Sequence, residues 1–436
     1  MEGRDHESNH PSRRRRRILA LAAIAVLLPG LTADRPLAEL IRDQVGVHLG
    51  DGVTIRVRIV RDTAAVTIDT PGGVRAGAED HPRRTRTLRT PIRITIAGDR
   101  IRARDARGRT RSWPPGVAVR FERLAGPLAV GGAPYPGAIS AHPRPDGRMD
   151  LIEHAPIEQY LPGVLSKELY PNWSDTTYEA QAIAARSYAL QERQRRRATG
   201  STFDIEGDTR DQAYGGSVAH ERARRAVQRT SGQILTYRGG VLRAYYSSTC
   251  GGRPASARDT WPIGRGFEFN LAAPIQAAPR ECPCESSPRY RWSVTRRAET
   301  LTRRLRAFGK DHGLPIRNLT SLSSIEPERR NPAGRPATYR VTDRAGKRWR
   351  LTAEQLRLAL NYAGAPGLDR PDQQARAWSG DVAITIRDGA AQIHGRGYGH
   401  GVGLCQFGAE ALARRGWSAD RILSFYYPGA ELVDLY

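Results

Sequence analysis

The spacing of apolar positions changes period several times along the chain, and each change marks an element. Leu37, Leu40, Ile41 and Val45 recur at three- and four-residue intervals, which predicts a short amphipathic helix within 34–50. From 53 the period drops to two. VTIRVRIV, AAVTID and, beyond a Pro71-Gly72-Gly73 turn, PIRITIAGDRIRAR at 91–104 read as small antiparallel strands. The Arg- and His-rich stretch 76–90 has no period and reads as a loop. Gly and Pro reach turn density over 125–150 and put a soft boundary near 150, although 116–122 and 148–153 are patterned to share one sheet. The centre is helical. A helix over 160–170 is closed by Pro171, and Thr176 with Glu179 forms a capping box that opens an Ala-rich helix to about Arg197. Ser217 caps a second helix, which stops at Gly232. QILTY and GVLRAYYSS read as strands and 253–290 as irregular. A helix at 297–309 and strands near 316–324, 337–342 and 348–352 follow, then a Gly-rich loop and two helices. The implied fold class is α+β: small mixed sheets, an Ala-rich central helix, and a C-terminal Gly-rich loop with helices.

The N-terminus adds a destination. Five consecutive Arg at 13–17 precede the apolar run ILALAAIAVLL, then Pro29-Gly30 and the small-residue site Leu31-Thr32-Ala33. This is the plan of a secretory signal over 1–33. The run is shorter than the ~20 residues that span a bilayer comfortably. Export to the cell envelope, periplasm or wall, is expected, with membrane contact only if the leader is retained as an anchor. Residues 34–150 then form an N-terminal β-rich region and 151–436 the remainder.

Composition excludes several classes. With 39% hydrophobic and 26% charged residues the chain is neither a polytopic membrane protein nor largely disordered. At 436 residues it can bury a core without a disulfide scaffold, and four Cys are too few for one. The net charge is +24, and residues 1–33 account for only +3 of it. Lys167, Lys310 and Lys347 are the only lysines, so nearly all the cations are Arg. Such a bias reflects genomic base composition and the charge is diffuse. Nucleic acid is therefore not an expected partner, whereas polyanions in general are attracted.

Five segments carry residues suited to chemistry. In YLPGVLSKELYP, 160–171, Leu161, Val164, Leu165 and Leu169 form one helical stripe, with Glu168 inside it. Desolvation there raises a carboxyl pKa and lets it hold a proton near neutrality as a general acid. A Glu at the stripe's edge paired with an Arg is the competing reading. In EAQAIAARSYAL, 179–190, small residues allow close backbone approach and Arg186 is the one cation; its direction is open. DQAYGG, 211–216, and AYYSSTCGG, 244–252, are weak signals alone. GRGYGHGVGLCQFGAEAL, 395–412, has six Gly within 395–408, which permits unusual backbone angles and close approach to a ligand. No Gly-Lys-Ser/Thr follows, so a nucleotide site is not expected. His400, between two glycines, reads as a site residue.

These segments, from YLPGVLSKELYPNW to GRGYGHGVGLCQFGAEALARRGWSADRILSFYYPGAEL, resemble in order the SpoIID/LytB family of bacterial cell-wall proteins. The resemblance is close over 153–262 and 392–432, weak over 53–75 and slight over 285–390. Thus 151–436 reads as a SpoIID-like catalytic region with an insertion at about 285–390. The family includes sporulation proteins that act as lytic transglycosylases on glycan strands stripped of stem peptides, and an enhancer of a cell-wall amidase. The resemblance implies a peptidoglycan lytic transglycosylase with Glu168 as its single acid/base and no cofactor needed for catalysis. The alternative is a non-catalytic peptidoglycan-binding protein that enhances an amidase, which would then be its partner. Lys167 departs from the small or acidic residue usual before that Glu, and would tend to lower its neighbour's pKa. Hydrolytic glycosidases normally use two carboxylates; a lytic transglycosylase needs only one, because the muramoyl 6-hydroxyl attacks its own anomeric carbon. Expected substrate-binding residues are Arg186, placed near the acid to meet the muramic carboxylate, Tyr188, Gln212, Tyr214, Ser247, Ser248, His400 and Gln406. Tyr245 and Tyr398 join Tyr188 and Tyr214 as faces for sugar rings.

The cysteines leave two arrangements open. Cys282 and Cys284, flanking a Pro, are poorly placed to pair with each other. Either one bonds Cys250 as a disulfide in an oxidising compartment, or Cys250, Cys282 and Cys284 hold a structural zinc with one more ligand. In both arrangements Cys250 lies close to at least one of the other two. Some family members bind zinc, but their ligand pattern has no match here. Cys405 reads as a buried free thiol.

Overall fold

The computed structural model describes residues 36–46 and 52–436. The expected leader, 1–33, lies outside the described residues. Among these, no helix is long and apolar enough to cross a membrane. The first amphipathic stripe forms α1 (Leu37–Val45), which buries Ile41 and Val45.

The period-two segments build two sheets. One has seven strands, in the order Ile205–Glu206, Thr54–Thr63, Met149–Pro156, Ala138–Pro143, Val119–Arg123, Val74–Ala78 and Thr85–Leu88. The other has six, in the order Ala133–Tyr135, Leu128–Val130, Ala65–Asp69, Ile92–Ala97, Arg100–Arg104 and Thr110–Ser112. Alternate residues of both sheets share one core that includes Ile68, Ile94, Phe121, Ile139 and Leu151. Two expectations change here. The stretch 76–90 is not a loop: Thr85–Leu88 is an edge strand held by backbone pairing to Val74–Ala78, and its exposed Arg86 and Thr87 leave no apolar alternation to read. The division expected at 150 falls inside Met149–Pro156, which pairs with Thr54–Thr63 on one side and Ala138–Pro143 on the other.

That strand runs directly into α2 (Ile157–Glu168). After it come α3 (Asp175–Ala198), α4 (Glu221–Arg229), α5 (Ala257–Thr260), α6 (Ala298–Asp311), α7 (Ala353–Leu360), α8 (Gln406–Arg414) and α9 (Ala419–Tyr426). The architecture is α+β. The Ala-rich α3 is its hub: Ala180, Ala182, Ala184, Ala185 and Ala189 are fully buried, and small side chains let α2, α4, α8 and α9 all pack on it. The helix starts at Asp175, not at a Thr176/Glu179 box. Glu410, from α8, takes over the capping: its carboxylate accepts from the Ser174 N–H at 2.9 Å and from the Thr177 hydroxyl at 2.7 Å. That tertiary contact has no local sequence signal. Similarly α4 is capped by His220 Nδ1, which accepts from the Ala223 N–H at 3.2 Å, and not by Ser217. Of GVLRAYYSS only Gly240–Val241 and Tyr246–Ser247 are strand.

The insertion has its own core. α6 and α7 cover two three-stranded sheets around Leu301, Leu305, Tyr339, Val341 and Ile393. A short 3-10 turn at Pro315–Asn318 replaces the start of the strand expected at 316, and the strand proper is Leu322–Arg330. Its last strand, Ala390–Arg396, delivers the chain to the Gly-rich loop.

Candidate active site

The stripe of α2 behaves as its spacing requires. Leu161, Val164 and Leu165 are fully buried, each worth about 1.5–3 kcal/mol of apolar burial, and Glu168 is the helix's last residue, half-buried at its end. Two other motif segments close over it. The loop 211–216 lies against α2 at Gly163, where a Cβ would come within 2.3 Å of the Gly216 carbonyl oxygen and 2.6 Å of Tyr214 Cε2; only Gly permits that approach. The loop 397–403 alternates glycines at 397, 399, 401 and 403, all at positive φ. It turns the chain so that Leu404–Cys405 pairs in parallel with Tyr246–Ser247 and α8 starts beside Glu168.

Gln406, the first residue of α8, donates from Nε2 to Glu168 Oε2 at 3.2 Å. Burial raises the Glu168 pKa above the usual carboxyl range; the Gln406 hydrogen bond and the Ala213 backbone N–H pull the other way. Lys167 is exposed and takes no part in that balance, so the depression expected from it is not found. Burial foremost, with the Glu168 charge among the contributors, keeps the phenols of Tyr160 and Tyr246 protonated. Gln212 ties these together: its Nε2 donates to Tyr246 Oη at 3.0 Å and to the Ala185 carbonyl at 3.1 Å, and its Oε1 accepts from Tyr160 at 3.0 Å.

The neighbouring acids are occupied. Asp211 accepts from Tyr188 at 3.1 Å through Oδ1, and from the Glu206 N–H at 2.9 Å and Arg196 at 3.0 Å through Oδ2. Glu410 caps α3 and pairs with Arg414 at 2.6 Å. Glu153, near Tyr214 and fully buried, is a further carboxyl without an ion-pair partner among the described residues, whereas the partly exposed Glu168 has the Gln406 amide as its side-chain partner.

At the start of α8, next to Gln406, the four cysteines converge. The Sγ atoms of Cys250, Cys282, Cys284 and Cys405 all lie within 4.8 Å of one another, and all four residues are buried. Cys250 Sγ is 3.8 Å from Cys284 Sγ, too far for a disulfide, and the four thiols are free. Cys405 is the buried free thiol expected, and it also completes the group because the loop sets it at the start of α8, where the Cys250 N–H donates to its Sγ at 3.3 Å.

Residues 145–237, which hold Glu168 and the 211–216 loop, match the family model described as Stage II sporulation protein, SpoIID. The chain carries a domain of the SpoIID family. Residues 270–403, covering the insertion, match a domain of unknown function, DUF8618. An uncharacterized protein of Brachyspira hyodysenteriae is 28% identical over 72% of this chain and 76% of its own. The amidase enhancer of Bacillus subtilis is 26% identical over 63% of this chain but only 40% of its own. Stage II sporulation protein D of Bacillus subtilis is 23% identical over 65% of this chain and 76% of its own.

Within the SpoIID domain and its C-terminal partner segments, several expected binding residues are engaged in packing and bracing contacts. Arg186 is 0% exposed, forks onto Glu158 at 2.8 and 2.7 Å, and donates to the Gln233 carbonyl at 3.1 Å. It faces the α4 side of α3, where it also donates to the Val227 carbonyl at 3.4 Å. Tyr188 is buried beneath the Arg243 guanidinium. Tyr214 packs on Tyr160, ring centroids 4.7 Å apart. Ser247 Oγ accepts from the Gly401 N–H at 3.2 Å and braces the Gly-rich loop, and the Ser248 carbonyl accepts from the Phe407 N–H at 3.1 Å and braces the start of α8. His400 braces it too: Nδ1 accepts from Val402 N–H at 3.0 Å, the ring packs on Trp261, and burial pulls its pKa down to about 4. Tyr245 stacks on Trp261 and Tyr398 packs against Trp378. Gln212 and Gln406 stay at the centre. Tyr246 was missed: in AYYSS nothing local says which of two adjacent tyrosines faces the acid.

Proposed function

We propose that this chain is an exported cell-wall enzyme that cleaves peptidoglycan glycan strands, preferably stripped of stem peptides, by lytic transglycosylation. The observation that carries the reading is the placement of Glu168. Its carboxyl has a raised pKa and sits where three motif segments meet; of the nearby acids among the described residues, Asp211 and Glu410 are paired with arginines and Glu153 is fully buried. Protonated Glu168 donates to the glycosidic oxygen as the C1–O bond breaks. The muramoyl 6-hydroxyl attacks C1 and returns its proton to Glu168. The product is a 1,6-anhydro ring, and no water is consumed. Gln406 holds the carboxyl in place, and Gln212 holds the Tyr246 hydroxyl at 3.0 Å.

The four thiols fit a structural zinc ion. Four sulfur ligands at 2.3 Å from a tetrahedral centre are about 3.8 Å apart, and Cys250 and Cys284 stand 3.8 Å apart here. Bound there, zinc would tie the 250 strand end, the Cys-Pro-Cys segment and the start of α8 together, so that it holds Gln406 against Glu168 without taking part in the chemistry.

The relative named amidase enhancer favours a second reading, a non-catalytic wall-binding protein that stimulates an amidase. The two are separated by incubating the chain and its Glu168→Gln variant with peptide-free glycan strands. The enzyme reading expects soluble fragments from the parent and about 10²–10⁴-fold slower release by the variant, with wall binding retained by both. Equal release by both, or none by the parent, overturns it.

A further inference from the structure

Away from Glu168, the seven-stranded sheet carries a group of residues that the proposed reaction does not use. His142 lies on Ala138–Pro143 and His154 on the adjacent Met149–Pro156. The register pairs Ala138 with His154, Ser140 with Ile152, and His142 with Asp150. Both imidazoles therefore stand on the same face, two positions either side of Ser140's row. Glu79, just past the end of Val74–Ala78, reaches across to both. Its Oε2 is 3.2 Å from His142 Nε2 and its Oε1 is 3.3 Å from His154 Nε2. The three ligand atoms all lie within 4.8 Å of one another.

Two features distinguish this from an ordinary surface ion pair. The side chains of His142 and His154 are only 16% and 10% exposed. His142 Nε2 is buried and, despite its nearness to Glu79, makes no hydrogen bond of acceptable geometry. A buried nitrogen left this way is costly unless something else takes its lone pair. His154 Nε2 also contacts Ser140 Oγ, which donates to Glu79 Oε1 at 3.2 Å, so that hydroxyl must yield when the ring takes a metal. The separations also fit. Nitrogen and oxygen ligands at 2.0–2.1 Å from a tetrahedral centre are about 3.3–3.4 Å apart. Arg120 and Arg56 are the nearby cations. Arg120 donates to Glu122 at 3.0 Å and Arg56 to Asp204 at 2.7 Å, so each already has its counter-charge.

We propose that Glu79, His142 and His154 form a divalent transition-metal site, suited to Zn²⁺, with water completing the coordination. Two imidazoles and a carboxylate are a zinc donor set with an open position. The site is separate from the cysteine tetrad in both donor type and element. It would fasten the end of Val74–Ala78 to the middle of the sheet.

The test is zinc stoichiometry on the full metal-stripped chain, read by titration calorimetry, for the parent and for His142→Ala/His154→Ala. The parent is expected to take one more equivalent than the variant, whatever the tetrad binds. Cadmium NMR of the parent needs no variant and covers the case in which the double substitution fails to fold. A resonance in the nitrogen/oxygen-ligand region, distinct from any sulfur-ligand signal, is expected. No such resonance, or equal stoichiometry in the parent and a folded variant, overturns the proposal.

Discussion

The side chains of Gln406 and Glu168 meet through one hydrogen bond of 3.2 Å across 238 residues of sequence. The amide donates, so it favours the ionised carboxylate and partly offsets the burial that raises the Glu168 pKa. If Glu168 acts as a general acid, activity is lost as pH rises through its pKa. Gln406→Ala removes the pull towards ionisation, so the alkaline limb of kcat/KM should move to higher pH while the rate falls through lost positioning. A pH–rate profile of the two proteins checks this; an unmoved limb, or one moved to lower pH, contradicts it.

The cysteine tetrad predicts equal effects from residues far apart in sequence. If the tetrad holds zinc as proposed, Cys405→Ser and Cys250→Ser should each lower thermal stability and metal content alike, because each would remove one ligand of the same site. Chelation of the parent should reproduce the loss. A disulfide reading would spare Cys405 and make the protein sensitive to reductant instead.

Arg186 tests the revised view of the basic surface. Its guanidinium is buried and forks onto Glu158. Arg186→Ala should cost roughly 3 kcal/mol of stability, since it strands a partly buried carboxylate. The preference of the folded variant for stripped over peptide-bearing strands should be unchanged. Chemical denaturation and binding assays separate the two effects.

Glu153 makes stability depend on pH. It is fully buried, accepts from the Gly137 N–H at 2.8 Å, and burial raises its pKa to about 7 from 4.5. The folded chain therefore holds a proton that the unfolded chain releases above pH 4.5. Its contribution is complete below that value and lost as pH rises through about 7, a difference on the order of 3 kcal/mol. Glu153→Gln should flatten the decline across that window. Denaturant midpoints of both proteins at pH 5 and 8 measure it, and parallel curves would contradict it.

Much of this was legible in the sequence, and what was not has physical causes. The 3.6-residue stripe of α2 put Glu168 inside an apolar face, and its carboxyl is half-buried there. The alternating segments became strands because one face of each is buried. The direction of Arg186 was not readable, since an Ala-rich helix buried all round offers no polar face to orient it. The cap of α3 comes from Glu410, more than two hundred residues away, so local capping rules chose the wrong residue. Tyr246 and Cys405 sit in motifs that were noticed, but their roles depend on Leu404–Cys405 pairing with Tyr246–Ser247, a long-range register that no local pattern encodes. The edge strand Thr85–Leu88 is held by backbone pairing to Val74–Ala78 and buries one apolar side chain, Leu88, which is too little for an alternating signature.

The central claim is that one carboxyl, Glu168, cleaves glycan without water. Mass spectrometry of the fragments released from peptide-free glycan strands tests it most directly. The account predicts fragments ending in 1,6-anhydro-muramic acid. Hydrated reducing ends would mean that a second carboxylate activates water, and would contradict it.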